Sequence, residues 1–192
     1  MISPGETVVW RDKPDKRCFI LEAIFNPMLF FALLWAAIDL TFISSMLSTL
    51  IPDPEADVAG PDYSQILPLV FFFALHLMPV WIYLGGIISA IIKHRSVEYI
   101  MTDQAVYLFE GGMSEKMRRL AWKNVREINC ERGIFDRMFK VGDIRFEAIH
   151  GMTYQSGKNR RKKEFILSDV TDYQSVYRKA AILLQDAKYL ND

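Results

Sequence analysis

The sequence predicts a mixed fold, in which a two-helix transmembrane hairpin precedes a small antiparallel β domain that a C-terminal α-helix closes. Two long apolar segments, 23–51 and 66–92, contain no Lys or Arg, and their only acidic residue and only histidine are Asp39 and His76. After residue 95 the pattern changes to short apolar or alternating runs separated by turn residues, which is typical of β-strands. From Thr171 onward the apolar residues recur at helical spacing.

Each apolar segment is long enough to cross a bilayer, because a helix needs about 20 residues to span ~30 Å of hydrocarbon. A soluble helix of this length normally carries a polar stripe, which both segments lack. We therefore predict transmembrane helices at 18–51 and 66–92, joined by an acidic loop at 52–65. The first segment does not fit a cleavable signal peptide, because its apolar core is too long.

The distribution of charge predicts that both termini are cytoplasmic. The loop at 52–65 has four acidic residues and no basic residue, whereas the N-terminal segment 1–17 has four basic residues and the second apolar segment ends in Lys93-His94-Arg95. By the positive-inside rule this pattern indicates a multi-pass protein of the cell inner membrane. Cys18 and Cys130 then lie on the reducing side, so a disulfide between them is not expected.

Residues 96–190 are expected to form one compact domain. Strands are predicted at 97–101, 105–109, 117–122, 125–131, 143–149 and 164–167, with 152–154 as an extension of the fifth. Gly111 and Gly112 are expected to end the second strand because glycine permits positive φ.

The last element is predicted to be an amphipathic helix. Thr171 and Gln174 fit a capping box at its start, and Ala187 lies near its end. Its apolar face is expected to include Tyr173, Val176, Tyr177, Ala180, Leu183 and Leu184. A helix of this kind can bury its apolar face at the open end of a small barrel.

Three short motifs carry a family resemblance. Pro4-Gly5-Glu6 lies near the N-terminus, Tyr99-Ile-Met-Thr102-Asp103 lies at the first hairpin, and Gly142-Asp143-Ile144 begins a later strand. With two apolar segments before them and a final helix, the chain resembles the bacterial pleckstrin-homology-like (PH-like) membrane proteins. The resemblance implies a PH-like antiparallel β-barrel of about seven strands, to which residues 6–11 contribute an extra one. It implies little about the ligand.

A basic segment at 158–163 is the first candidate for function. It can contact an anionic membrane, bind an acidic protein partner, or serve as a solvated loop. If the strands alternate in direction, this loop points away from the membrane, which disfavours the first alternative. Its basic residues are Lys158, Arg160, Arg161, Lys162 and Lys163.

The same alternation places the segment 132–140 near the membrane. Its apolar residues share one face of a helical turn and are flanked by cations, a pattern typical of an interfacial contact. The alternative is that its apolar side chains plug the end of the barrel. The residues concerned are Arg132, Ile134, Phe135, Arg137, Met138, Phe139 and Lys140.

Two polar pairs are predicted between the apolar segments. Asp39 lies 17 residues after Glu22, and His76 lies 17 residues before Lys93, so a hairpin that sets Glu22 level with Lys93 also sets Asp39 level with His76. Glu22 and Lys93 then form a boundary pair. Asp39 and His76 can form a hydrogen-bonded structural pair or part of a proton path, or Asp39 can reach outer water by itself.

Catalytic and metal-binding signatures are absent from the sequence, so we predict a non-enzyme with no metal and no cofactor. The stretch 97–109 has no Lys or Arg, which disfavours specific inositol-phosphate recognition, and no nucleic-acid motif is present.

The predicted function is a membrane-anchored recognition or scaffolding module that engages a protein partner or the anionic lipid of the inner leaflet. Self-association into a homo-oligomer is compatible with the small residues near Gly85. The alternative is a subunit of a transport or ion-conducting assembly that uses Asp39 and His76.

Overall fold

The computed structural model describes residues 2–50, 66–111, 115–149 and 165–189, with the backbone alone for 47–50 and 66. It divides into two compact units. The helical unit is Ala23–Ile88, and the β unit consists of Met1–Glu22 together with Ser89–Asp192. The predicted basic loop at 158–163, the acidic loop at 52–65 and the strand extension at 152–154 lie outside the described residues.

The first apolar segment, predicted as one helix over 18–51, is interrupted. Helix α1 spans Lys16–Ile24 and helix α2 spans Pro27–Leu50. Between them, Asn26 Oδ1 accepts the backbone N–H of Met28 at 2.8 Å and so caps α2. Pro27 takes the first helical position, where its fixed φ is favourable and its missing N–H costs nothing. The Asn-Pro pair therefore starts a new helix inside the apolar run.

The second apolar segment is also divided. Helix α3 spans Ile66–His76 and helix α4 spans Met78–Ser96, with a bend of 59° at the break between them. Pro79 accounts for the break, because its ring has no N–H to donate and clashes with the carbonyl of the preceding turn in a continuous helix. Helix α4 continues past the predicted end at residue 92 and carries Lys93, His94 and Arg95 in its last turn.

Length and composition identify candidate membrane spans among the described residues. The stretch Pro27–Met46 of α2 is long and apolar enough to cross a bilayer on its own. The pieces Leu67–His76 and Met78–Ser96 meet the same criterion only when taken together as one bent span. The described chain therefore has one such helix, or two if the bent pair is a single span.

The β unit contains two antiparallel sheets. The first has the order β1-β2-β3-β4 and the second has the order β5-β6-β7. The strands are β1 (Val8–Asp12), β2 (Glu98–Thr102), β3 (Ala105–Glu110), β4 (Lys116–Ala121), β5 (Val125–Glu131), β6 (Gly142–Ala148) and β7 (Phe165–Val170). The short helix α5 (Ile134–Phe139) connects β5 to β6, and α6 (Tyr173–Tyr189) follows β7.

The prediction of a closed barrel is wrong for the described residues, because no strand pairing joins the two sheets. The 3₁₀ turn Trp122–Asn124 separates β4 from β5 and redirects the chain. The buried Trp122 indole donates to the carbonyl oxygen of Thr102 at 2.9 Å, which fixes this corner to the end of β2. The sheets instead share one hydrophobic core, which includes Met101 and Leu108 from the first and Ile144 and Leu167 from the second.

Helix α6 covers this core with the face that the sequence periodicity predicts. Val176, Ala180 and Leu184 are buried in the shared core. The partly buried side chains beside them are Tyr173, Tyr177, Leu183 and Ala187. The helix begins two residues after Thr171, whose hydroxyl donates to Asp12 Oδ2 at 2.8 Å and so connects this junction to β1.

The N-terminal motif is fixed to the first sheet by one carboxylate. Glu6 accepts hydrogen bonds from Thr102 Oγ1 (2.6 Å), from the Tyr107 hydroxyl (2.9 Å) and from Arg119 Nη2 (2.8 Å). Gly5 precedes it with φ of +86°, a conformation that favours glycine. The Pro-Gly-Glu and Thr-Asp motifs, 96 residues apart in sequence, are therefore two halves of one hydrogen-bonded junction.

Two other glycines are required by close approaches. A Cβ at Gly142 would lie 2.9 Å from Tyr173 Cγ and 3.2 Å from Arg132 Cγ. A Cβ at Gly111 would overlap the side chain of Ser96. Gly5 is the only glycine with positive φ among the described residues, so the expectation that Gly111 ends its strand through positive φ is wrong.

Candidate functional site

The predicted interfacial segment forms α5 and the residues on either side of it. The carboxylate of Asp136 accepts the N–H of Gly133 at 2.6 Å, which caps the helix, and Lys140 ends it in the left-handed region at φ 58°. The Arg132 guanidinium donates to the Val141 carbonyl at 3.0 Å. The same guanidinium lies 4.9 Å from the centre of the Tyr173 ring. Arg132 therefore fixes this connection to the β unit.

The apolar side chains of α5 divide into two pairs. Ile134 is 84% exposed and Met138 is 60% exposed, although both are large aliphatic residues. Phe135 and Phe139 are half-buried. The phenylalanines face the protein, as the alternative of apolar side chains packed within the domain requires. The aliphatic pair faces away from the protein, as the alternative of an interfacial contact requires. Arg137 and Lys140 are exposed beside the aliphatic pair.

The helical unit brings Asp39 and His76 together. His76 Nδ1 lies 2.7 Å from Asp39 Oδ1, within hydrogen-bond distance. The Asp39 side chain is only 1% exposed, and the second oxygen of its carboxylate has no hydrogen-bond partner among the described residues. The indole of Trp35 donates to the His76 carbonyl at 2.8 Å, and the Phe72 ring stacks on the imidazole. The pair is thus set in an aromatic environment.

The predicted boundary pair does not form. Lys93 Nζ lies 3.8 Å from Glu110 Oε1 instead, and the described residues show no ion pair between Lys93 and Glu22. The physical reason is the interruption of the first helix. Glu22 belongs to α1, which is part of the β unit. The prediction placed Glu22 level with Lys93 by counting residues along two continuous helices, and this count does not apply to a residue before the interruption.

Glu22 instead belongs to a cluster that sequence reasoning missed. Potential ligand atoms of Cys18, Glu22, Asp136 and Asp169 all lie within 4.8 Å of one another. Cys18, Asp136 and Asp169 are buried, whereas Glu22 is exposed. The Cys18 thiol donates to Asp136 Oδ1 at 3.4 Å. These residues come from α1, α5 and the end of β7, so no spacing motif in the sequence signals the cluster.

The backbone around Cys18 is set by Asp15. Its Oδ1 accepts the N–H groups of Arg17 and Cys18, each at 2.9 Å, and so caps α1. The backbone N–H of Asp15 in turn donates to the carbonyl of Asp169 at 2.9 Å. The cap therefore holds the first turn of α1 against the end of β7, where Asp169 adopts a positive φ of 54°.

Burial and like charge strongly perturb the carboxyl of Asp169. Burial raises its pKa, the Cys18 thiol lowers it in part, and the carboxylates of Glu22, Asp143 and Asp136 raise it further, to about 7. Burial likewise raises the pKa of the Cys18 thiol. Asp143 Oδ1 accepts the Asp169 N–H at 2.9 Å, which explains the acidic residue in the Gly142-Asp143-Ile144 motif.

Comparison with protein-family models matches residues 56–181 to the bacterial PH domain. This match covers about two thirds of the 192 residues, including all three strands of the second sheet and most of the first. The chain belongs to the bacterial PH domain family. Searches of curated proteins and of solved structures give no match.

Membership of the bacterial PH domain family agrees with the two antiparallel sheets and the C-terminal helix. PH-like domains are generally non-catalytic, so the family suggests a binding module. The match begins at residue 56, after β1 and before β2, and thus includes the second apolar segment.

A pocket of about 630 Å³ in this bacterial PH domain lies where β2 and β3 meet the end of α4. Three basic and three acidic side chains line it: Lys13, Arg95, Lys116, Glu98, Glu110 and Glu115. Glu98 already pairs with Arg11 at 2.7 Å. Because the lining charges balance, the pocket lacks the excess of cations that several phosphate groups require.

Proposed function

We propose that this protein is a membrane-anchored, non-catalytic PH-like binding module, whose α5 contacts the anionic lipid surface of the inner leaflet. The observation that carries the proposal is the exposure of Ile134 and Met138 beside Arg137 and Lys140. The domain family supports a binding role, and the apolar helices support an anchor.

The anchor follows from α2 and the bent pair α3–α4. Their exposed side chains include many large apolar residues, such as Phe30, Leu33, Leu34 and Phe71. Exposure of such apolar surfaces to water is unfavourable, whereas the hydrocarbon of a bilayer removes them from water. The charges of the flanking segments favour a cytoplasmic location of both termini. In this proposal the β unit is therefore cytoplasmic and close to the membrane.

The exposed face of α5 has the chemistry of an interfacial contact. Ile134 and Met138 are four residues apart, so their side chains are neighbours on the helix surface. Full burial of each would contribute about 1.5–3 kcal/mol, and each cation near an anionic leaflet about 1 kcal/mol. Such a contact is too weak for a free protein. It is sufficient for a tethered domain, because tethering gives a high effective concentration at the surface.

Helix α5 is also connected to α1 by a hydrogen bond. Its Asp136 Oδ1 accepts a hydrogen bond from the Cys18 thiol of α1, and Cys18 lies only nine positions before Pro27, where the candidate span begins. Nine residues extend at most about 30 Å. This short connection supports the proposal that α5 contacts the membrane surface.

The test places a fluorophore on α5 of the full chain in vesicles. In a Cys130→Ser background, Met138→Cys is labelled and its quenching by spin-labelled headgroups is measured. The matched control is Ile182→Cys on α6, where the native side chain is 59% exposed. We expect stronger quenching at position 138 than at 182, with a larger difference in anionic than in neutral vesicles. Equal quenching at both positions contradicts lipid contact.

A protein partner remains the other occupant of this surface. Photo-crosslinkers at positions 138 and 182 of the full chain distinguish the occupants in cells. Crosslinks to lipid at position 138 support the proposal. Capture of a single protein at position 138, with loss of that crosslink in Ile134→Asp, would show that the ligand of this surface is a protein.

The basic residues at 158–163 are a second proposed contact for an acidic partner, tested by neutralising all five.

The contact between the buried Asp39 and the partly exposed His76 favours a second candidate function, a subunit of a transport or ion-conducting assembly. The Asp39 side chain is 1% exposed, and one of its oxygens has no hydrogen-bond partner in the described part of the chain. A carboxylate of this kind within a membrane span is typical of ion and proton sites. Two spans enclose no pathway alone, so this function requires several subunits. Loss of cellular function in Asp39→Asn, with the β unit still folded, would favour it over the binding module, whereas loss in Ile134→Asp would favour the module.

A further inference from the structure

Three buried polar side chains and one exposed carboxylate converge within the β unit. They are Cys18 from α1, Glu22 one turn later, Asp136 from α5 and Asp169 from the end of β7. The exposed Glu22 leaves an approach from solvent to a group of atoms that is otherwise buried. One sulfur and several carboxylate oxygens thus lie around a common point, and each of these atom types can bind a cation.

The state of Asp169 distinguishes this site from an ordinary acidic cluster. Its side chain is 1% exposed, and neither carboxylate oxygen has a hydrogen-bond partner among the described residues. The single thiol proton of Cys18 is directed to Asp136. None of the carboxylates of Glu22, Asp136 and Asp169 forms an ion pair in the described part of the chain. Burial of a carboxylate without a partner is unfavourable, so a cation bound at this point would stabilise the arrangement.

The position of Asp169 is also fixed by its neighbours. Its N–H donates to Asp143 and its carbonyl accepts from Asp15, both at 2.9 Å. Asp136 is held in a similar way, because its other oxygen accepts the N–H of Gly133. The backbone thus directs both carboxylates toward Cys18 through contacts that a bound ion would leave intact.

We propose that Cys18, Glu22, Asp136 and Asp169 bind a divalent transition-metal cation, with Zn²⁺ as the best match. Zn²⁺ accepts both thiolate and carboxylate ligands in a four-coordinate site, whereas Mg²⁺ and Ca²⁺ take oxygen ligands only and more of them. Zn–S bonds of about 2.3 Å and Zn–O bonds of about 2.0–2.2 Å require ligand atoms about 3.3–3.8 Å apart. The four atoms lie within 4.8 Å of one another, so side-chain shifts of about 1 Å would bring them to these separations.

Binding would displace the proton of the Cys18 thiol to solvent, and the cation would offset the carboxylates that now repel one another. It would also cross-link three elements that are distant in sequence, since 118 residues separate Cys18 from Asp136. Helix α1 leads directly into α2, so the ion would fasten the start of the proposed anchor to the β unit.

The experiment uses the full chain in detergent, freed of metal with a chelator and then titrated with Zn²⁺ or Co²⁺ alone. We expect one equivalent of Zn²⁺ to bind and to raise the thermal midpoint, and Co²⁺ to give a thiolate charge-transfer absorption. Asp169→Asn and Glu22→Gln should each weaken binding more than about tenfold, and Cys18→Ser should abolish the Co²⁺ absorption. The control is Cys130→Ser, which removes the exposed cysteine outside the cluster and should bind like the wild type.

Glu22→Gln keeps the test interpretable, because it changes an exposed side chain and leaves the buried ones intact. No stoichiometric binding of Zn²⁺ by the wild type would overturn the proposal. Equal affinity of the wild type and both carboxylate variants would overturn it as well. A gain in thermal midpoint for Asp169→Asn, with no response of the wild type to either metal, would identify Asp169 as a neutral buried carboxyl instead.

Discussion

Glu6 connects the N-terminal segment to the first sheet and carries a pH dependence of known sign. Its side chain is 1% exposed in its ion pair with Arg119. Burial opposes its ionisation, but the hydrogen bonds from Thr102, Arg119 and Tyr107 outweigh burial and lower its pKa from the usual 4.5. A carboxyl with a lowered folded-state pKa stabilises the protein above the unfolded-state pKa, and this stabilisation is lost as the pH falls through the folded-state value.

We expect Glu6→Gln to lower the free energy of unfolding of the full chain by about 1–3 kcal/mol at pH 7, because charge-assisted bonds become neutral ones. The difference from the wild type should shrink below pH 4.5, as Glu6 itself becomes protonated. Denaturant unfolding in detergent, followed by tryptophan fluorescence, measures both. Glu127→Gln, at an exposed position of β5, is the control. A difference that grows on acidification would contradict this assignment.

The contact between Asp39 and His76 leads to a second prediction at the residue scale. A double-mutant cycle with Asp39→Asn and His76→Gln should show a coupling of about 0.5–1.5 kcal/mol in the free energy of unfolding. The control cycle combines Asp39→Asn with His94→Gln, whose imidazole bonds the carbonyl of Pro14 in the β unit. We expect the control to be additive. Additivity in both cycles would mean that the 2.7 Å contact contributes no stability.

At the scale of elements, the start of β6 depends on a glycine. Gly142→Ala would place a methyl group 2.9 Å from the Tyr173 ring, at the junction where Arg132 stacks on that ring. We expect it to lower the free energy of unfolding by about 1–3 kcal/mol, because overpacking forces neighbouring side chains to move. Gly85→Ala in α4 is the matched control.

Position 85 has open space around its Cβ. Alanine also has the higher helix propensity, so Gly85→Ala should be neutral or stabilising by up to about 1 kcal/mol. Thermal unfolding of both variants in one detergent gives the comparison. A Gly142→Ala variant as stable as Gly85→Ala would show that the β6–α6 junction adapts without cost.

Elements in which the apolar residues recur at a regular spacing were predictable from the sequence. Strand β5 coincides with the predicted 125–131, and the apolar face of α6 includes the residues that the helical spacing indicates. The interruptions of the apolar segments were harder to predict. Asn26-Pro27 is a helix-start signal and Pro79 is a helix-break signal. Each lies inside a long apolar run, and such a run by itself predicts one continuous transmembrane helix.

At the scale of the whole molecule, contacts between distant segments explain what the sequence could not predict. Cys18 and Asp136 come together only because α1 packs against the end of β7 and α5, and no periodicity encodes that packing. The pairing of β1 with β2 across the apolar segments similarly depends on the fold. Asp39 and His76 came from counting residues along continuous helices. They lie within hydrogen-bond distance although those helices are interrupted, so the residue count does not explain the contact.

We propose that the apolar helices anchor the chain in the membrane, with its β unit in the cytoplasm. Protease accessibility of a C-terminal tag tests this claim most directly, compared between intact spheroplasts and inverted inner-membrane vesicles of a bacterial host. We expect the tag to be protected in spheroplasts and digested in inverted vesicles, because the positive-inside rule assigns both termini to the cytoplasm. Digestion in intact spheroplasts, or recovery of the tag in the soluble fraction without detergent, would contradict the account.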